Sequence, residues 1–104
     1  MIMTKKIYIS GKITGLDPKR SWMNFLKVEI DYTRLGIPVV NPMSDKYFFN
    51  RIGKLPWAVY MFFDIILLLG CRGIYLQPNW EESRGARIEY KIAKFLRYTI
   101  IKGK

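Results

Sequence analysis

Along this chain, short runs of β-branched and aromatic residues alternate with longer stretches in which apolar positions recur at helical spacing. Lys6-Ile7-Tyr8-Ile9-Ser10 reads as a strand ending at Gly11, and residues 10–15 read as a loop at its C-terminal end, with glycines at 11 and 15 free to take unusual dihedrals. From about residue 20 to 35 the period becomes helical: Trp22, Phe25, Leu26, Tyr32 and Leu35 share a broad apolar face, and Gly36 ends it. Pro38 opens a short strand, Val39-Val40, which Asn41-Pro42 closes. Residues 43–54 show little periodicity and read as a loop or a short irregular helix.

A second helix is predicted from about residue 56 to 69, with Pro56 tolerated in its first turn. It is apolar nearly all round, too short to span a bilayer, and interrupted by Asp64. That combination fits a helix buried between a sheet and another subunit. Residues 73–77 read as a third strand ended by Pro78-Asn79-Trp80. Ser83 is placed to cap a third helix running to about residue 96, with Asn79 or Glu81 as alternative earlier starts, and residues 98–101 form a last strand. The sum is β-α-β-α-β-α-β in one domain over residues 1–104: an α/β three-layer sandwich with a mostly parallel sheet of four or five strands and flavodoxin- or Rossmann-like topology. In such sheets ligands bind beyond the C-terminal ends of the strands, which directs attention to the loops after Ser10, Val40 and Gln77.

Composition narrows the chemistry. The chain has no histidine and one cysteine, Cys71, so an internal disulfide, a Cys/His zinc cluster and His-dependent triads are all excluded. Acid–base work falls mainly to carboxylates, of which there are eight. Eighteen basic residues against those eight leave a formal charge of +10, which attracts phosphates on a nucleotide, a nucleic acid or a membrane surface. No recognition motif accompanies the charge, so nucleic acid is a possible but not favoured partner, and a membrane is not expected. The N-terminus lacks an apolar signal core, which points to a cytoplasmic protein.

Several groups stand out. Ser10-Gly11-Lys12 offers a hydroxyl, a residue permitting close approach and a positive charge, without Walker A or dinucleotide spacing; an ordinary tight turn is the alternative. Ser83-Arg84-Gly85-Ala86-Arg87 opens a helix whose N-H groups and guanidiniums suit an anion, or is simply a capped, solvated helix start. Glu89 shares a helix face with the small residues Gly85, Ala86 and Ala93 and can be aimed into a pocket, or lie on the surface. Asp64, amid aromatic and aliphatic neighbours, is a ligand contact, a paired structural carboxylate or an acid on the one exposed stripe. Tyr8, Tyr47, Tyr60, Tyr75 and Trp80 can form a stacking wall or fill the core, and Asn41 and Asn79 can contact a polar ligand or make side-chain turns. Cys71 reads as a buried small hydrophobe.

Residues 8–15, residues 36–42, Trp57 with Asp64 and Cys71, and the run from Ile74 through Trp80, Ser83 and Gly85 to Glu89 resemble a small family described as nucleoside 2-deoxyribosyltransferase-like, often found in phages and mobile elements. The resemblance implies cleavage of the N-glycosidic bond of a deoxynucleoside or its 5'-monophosphate, the sugar passing to another base or to water. It makes Glu89 the nucleophile on the anomeric carbon and Asp64 the group that contacts the base or assists its departure. It assigns the loop from Ser10 through Gly11 and Lys12 to the sugar or phosphate, and Ser83, beside Arg84 and Gly85, to the 5'-phosphate. Tyr8, Asn41 and Trp80 complete the expected substrate-binding set. No cofactor or metal is implied, and a homodimer or larger homo-oligomer is expected. The alternative function is a noncatalytic protein that binds a nucleotide or related phosphorylated ligand. The chain departs from the family pattern where Lys12 replaces a common proline, where Arg72 stands in place of the acid that usually follows the cysteine, and where Gln77-Pro78-Asn79 lacks the aspartate that the transferases carry after the third strand.

Overall fold

The computed structural model describes residues 6–13, 15–44 and 56–103; the predicted irregular segment falls largely outside them, as does Tyr47. Four strands are present among the described residues: β1 (Ile7–Ser10), β2 (Val39–Val40), β3 (Gly73–Leu76) and β4 (Thr99–Lys102). Three α-helices accompany them, α1 (Pro18–Arg34), α2 (Trp57–Leu69) and α3 (Arg84–Phe95), with a 3-10 turn at Trp80–Glu82. The sheet order is β2-β1-β3-β4 and every neighbouring pair is parallel. The strand order therefore reverses between β1 and β3. Ser10 pairs with Leu76 at the C-terminal end of that pair, and Gln77 N-H donates to the Ser10 carbonyl one step beyond.

Alternation along β1 divides the interior in two. Ile9 points to one face, where it packs with Phe25 of α1 and with Met43. Tyr8 points to the other, where it joins Leu68 of α2, Ile74 and Leu76 of β3 and Ala93 of α3. Helices thus cover both faces, which a fully parallel sheet with apolar strands on both sides requires.

The helix ends follow from local chemistry. Asp17 caps α1 by accepting from Arg20 N-H at 3.2 Å, and Pro18 sits in the first turn, where its missing N-H costs nothing. At the other end Gly36 N-H donates to Thr33 O and Ile37 N-H to Tyr32 O, a Schellman closure that needs the φ of +75° Gly36 supplies. The same closure ends α3, with Tyr98 N-H on Ala93 O and Arg97 N-H on Lys94 O. There the left-handed position is filled by Arg97 at φ 60°.

The predicted apolar face of α1 is misplaced by part of a turn. Trp22 is 39% and Leu35 72% exposed, whereas Ser21 and Phe25 are buried, with Val28 and Tyr32 continuing that stripe. The stripe faces β1 and β2, and Tyr32 meets Tyr75 of β3 edge-on with ring centroids 5.5 Å apart. In α2 the buried positions are Tyr60, Met61, Asp64 and Leu68, while Phe62, Ile66 and Leu69 on the other side are exposed. No helix among the described residues is long and apolar enough to cross a membrane.

Candidate functional site

A cavity of about 250 Å³ opens where β1 ends, between α1, α2 and α3. Each wall has a reason in the sequence. The extended backbone of Ser83 separates the 3-10 turn from α3, and its hydroxyl accepts from Ala86 N-H at 3.1 Å, fixing where the helix begins. From that start Ala86, Glu89 and Ala93 fall on the buried stripe. The two alanines let α3 approach the sheet closely, so the glutamate between them reaches the strand below.

Glu89 is only 5% exposed. Tyr8 Oη donates to its Oε2 at 2.7 Å and Ser10 Oγ donates to its Oε1 at 2.7 Å. Both hydroxyls belong to the same face of β1, two residues apart, so strand alternation alone aims them at one carboxylate. Short hydroxyl bonds to both oxygens offset the hydration that burial removes and fix the plane of the carboxyl group. Asp64, also 5% exposed, reaches the cavity from the buried stripe of α2, which excludes the exposed-stripe reading of that residue.

Tyr8, Ser10, Gly11, Asp64, Ser83, Gly85 and Glu89 therefore line one cavity, although the sequence separates them widely. The other four expected site residues lie elsewhere. Lys12 is tied by Nζ to Glu82 Oε1 at 3.1 Å, and its N-H donates to Asn79 Oδ1 at 3.1 Å. Arg84 lies over the Trp57 ring, 4.5 Å from its centroid, and Arg87 Nη1 donates to Glu81 O at 2.8 Å. Asn41 is buried as a turn maker: its Oδ1 accepts from Met43 N-H at 2.9 Å and its Nδ2 donates to Glu29 at 2.9 Å. Trp80 packs on Tyr90 with centroids 4.8 Å apart. Of the proposed stacking wall, Tyr8 and Tyr60 reach the cavity, and Tyr75 lies on the opposite face of the sheet.

Sequence reasoning missed much of the apolar lining. Trp57 and Met61 line the cavity beside Tyr60 and Asp64, and their spacing along α2 is one helical stripe, a signal obscured because the whole helix is apolar. Gly85 matters for its size: a Cβ there would stand 3.2 Å from Met61 Sδ. Gly11 is still more constrained, since a Cβ would come within 2.5 Å of Gln77 Nε2. That buried amide nitrogen has no hydrogen-bond partner among the described residues.

Cys71 is buried away from the cavity lining and donates to Leu67 O at 3.4 Å. Burial pushes its thiol up to about 11 against a weaker downward pull from Lys6, the opposite of what a nucleophilic thiolate needs. No group of three or more metal-ligating side chains occurs among the described residues.

Fold and site together define a parallel α/β domain with a cavity at the strand-order reversal and a hydrogen-bonded carboxylate in its lining. The chain belongs to the family described as Domain of unknown function (DUF4406), whose model matches residues 5–102. Its fold is similar to that of a 2-desoxiribosyltransferase from Leishmania mexicana, with a TM-score of 0.65 and 16% sequence identity over 94% of this chain. The match covers 63% of the length of that protein, and at this identity the likeness is one of fold. No curated protein matches the chain.

Proposed function

We propose that the protein cleaves the N-glycosidic bond of a deoxynucleoside or its 5'-monophosphate, with Glu89 as nucleophile. The observation that supports this most is the buried Glu89 carboxylate, held by the Tyr8 and Ser10 hydroxyls in a cavity it shares with Asp64. Two neutral hydroxyl donors fix the orientation of the carboxylate within the cavity. The fold likeness to a 2-desoxiribosyltransferase points the same way.

In this reading a Glu89 oxygen bonds to the anomeric carbon as the carbon–nitrogen bond breaks, and the bonding pair leaves with the base. Asp64 contacts the base and passes it the proton it needs on departure. Water, or a second base, then attacks the anomeric carbon from the face the first base vacated, loses its proton to Asp64 and releases Glu89. The scheme asks for no cofactor. The exposed apolar side of α2 accommodates the expected self-association, which light scattering measures directly.

The test is chromatographic detection of free base from a panel of nucleosides and their 5'-monophosphates, with and without an acceptor base, beside Glu89→Gln. Release by the parent and not by the variant is the expected result. No release from any donor would overturn the catalytic reading in favour of a binding protein.

A further inference from the structure

Residues 84–104 hold seven cations and a single acid, Glu89, and so carry more than half of the formal charge of +10. The fold sets that acid apart from the cations. Glu89 lies with Ala86 and Ala93 on the buried stripe of α3, whereas Arg87, Lys91 and Lys94 recur at helical spacing on its exposed face. Lys102 joins them from β4, the edge strand: its Nζ stands 6.0 Å from the centroid of the Tyr90 ring, and Lys94 Nζ stands 5.9 Å from the same centroid. Two cations from different elements thus share one ring. Arg97 adds another at the left-handed position after α3, where glycine would be easiest. The C-terminal dipole of α3 favours the cation in its last turn, but neither Arg87 in the first turn nor Lys102 on a strand. A surface that serves solubility alone intersperses both signs. Glu81 and Glu82 border this one only at the start of α3. Among the cations, four residues on from Lys91, Phe95 is 84% exposed, more than any other large apolar side chain among the described residues.

We propose that this face of α3 and β4 binds single-stranded nucleic acid, its cations meeting successive phosphates and Phe95 stacking on an unpaired base. The proposal is independent of the chemistry proposed for the cavity, because the residues it uses lie on the exposed side of α3 and Glu89 on the buried side. Like charges drawn together on one face repel one another, and a polyphosphate backbone is the partner that relieves them while releasing its own counterions. Phe95 decides between strand forms. An exposed ring gains most from the flat face of a base, and in a duplex those faces are covered by neighbouring pairs. An anionic bilayer, the other extended partner of matching charge, asks for a broad apolar face to bury, and here one strongly exposed ring stands among cations.

The test is fluorescence anisotropy with labelled DNA and RNA strands of about 12 nucleotides and the matching DNA duplex, between about 50 and 200 mM potassium chloride. At least one single strand is expected to bind with a Kd of about 1–10 μM at about 100 mM salt. The triple variant Lys91→Gln, Lys94→Gln, Lys102→Gln is expected to weaken binding at least about tenfold. It should also flatten the slope of log K against log salt by about 2, since each single-strand phosphate contact contributes about 0.7. Removing the same charge from exposed positions on α1, by Lys19→Gln, Lys27→Gln and Arg34→Gln, is expected to weaken it less than about threefold. Phe95→Ala is expected to cost at least about fivefold with the slope unchanged. All the substituted side chains are exposed, so each variant is expected to keep the fold, which far-UV circular dichroism checks. Equal losses in the two triple variants would show that charge at large holds the strand, and would overturn the proposal. So would a Phe95→Ala effect below about twofold, a duplex bound as tightly as the single strand, or binding to phosphatidylserine vesicles with none to either strand.

Discussion

Replacing Tyr8 by phenylalanine removes one oxygen from a ring that is 1% exposed, leaving the packing around the ring in place. The oxygen lost is the donor to Glu89 Oε2 at 2.7 Å. A hydrogen bond to a charged group contributes about 1.5–3 kcal/mol, and a neutral one about 0.5–1.5 kcal/mol. Tyr8→Phe is therefore expected to cost about 2 kcal/mol in the parent. In a Glu89→Gln background, where the acceptor is an amide oxygen, it is expected to cost about 1 kcal/mol. The difference, a coupling of about 1 kcal/mol, is measured by urea unfolding at pH 7 of the four proteins of the cycle. Each kcal/mol also moves Tm by about 4 °C in a domain of this size. If Tyr8→Phe costs the same in both backgrounds to within about 0.5 kcal/mol, the hydroxyl is not holding a carboxylate charge, and the argument for an oriented nucleophile loses its support.

Other substitutions test other parts of the fold. Gly11→Ala drives a Cβ to 2.5 Å from Gln77 Nε2 and 3.1 Å from Gln77 Cβ, so it is expected to destabilise by about 1–3 kcal/mol, with Gln77→Ala restoring part of the loss in calorimetry. Arg97→Gly relieves a side chain held at φ 60° and is expected to raise stability by about 0.5–1 kcal/mol; a lower Tm would show that the Arg97 side chain contributes more than its backbone costs. The Cys71 thiol ionises near 11 in the folded state against 9.0 for a free thiol, so the folded protein binds that proton more tightly. Its contribution, about 2 kcal/mol, is complete below about pH 8.5 and is lost as pH rises toward 11, and Cys71→Ala should remove that part of the alkaline slope in urea titrations. Glu82→Gln breaks an ion pair whose acid is largely exposed and is expected to change stability by less than about 1 kcal/mol.

The elements were legible because each is punctuated locally. Gly36 ends α1 through a closure that only its dihedral permits without strain, Pro56 precedes α2, and Ser83 caps α3 as its position implied. The face of α1 was not legible, because Trp22 and Leu35 are as apolar as Phe25 and only the position of β1 and β2 decides which of them is covered. The same distinction runs through the site. Residues with short side chains or fixed strand and helix phase, such as Ser10, Ser83, Gly85 and Glu89, arrive where their element carries them. Lys12 and Arg84 have long, flexible stems, and their partners, Glu82 and Trp57, lie on other elements at distances that sequence spacing does not encode. Asn41 next to proline reads as a turn maker or a ligand contact, and its bond to Met43 N-H shows the turn.

The bond from Tyr8 to Glu89 joins residues 81 positions apart, and that from Ser10 joins residues 79 apart. A growing chain has to release β1, hold it unpaired on one side through the whole of the crossover to β3, and then present α3 before either bond can close. No fragment that lacks β1 or α3 contains the carboxylate together with its two hydroxyls. The cavity floor thus assembles only once α3 has been made, and a molecule bound there fastens β1 to α3, so its grip is felt as resistance to unfolding of this domain.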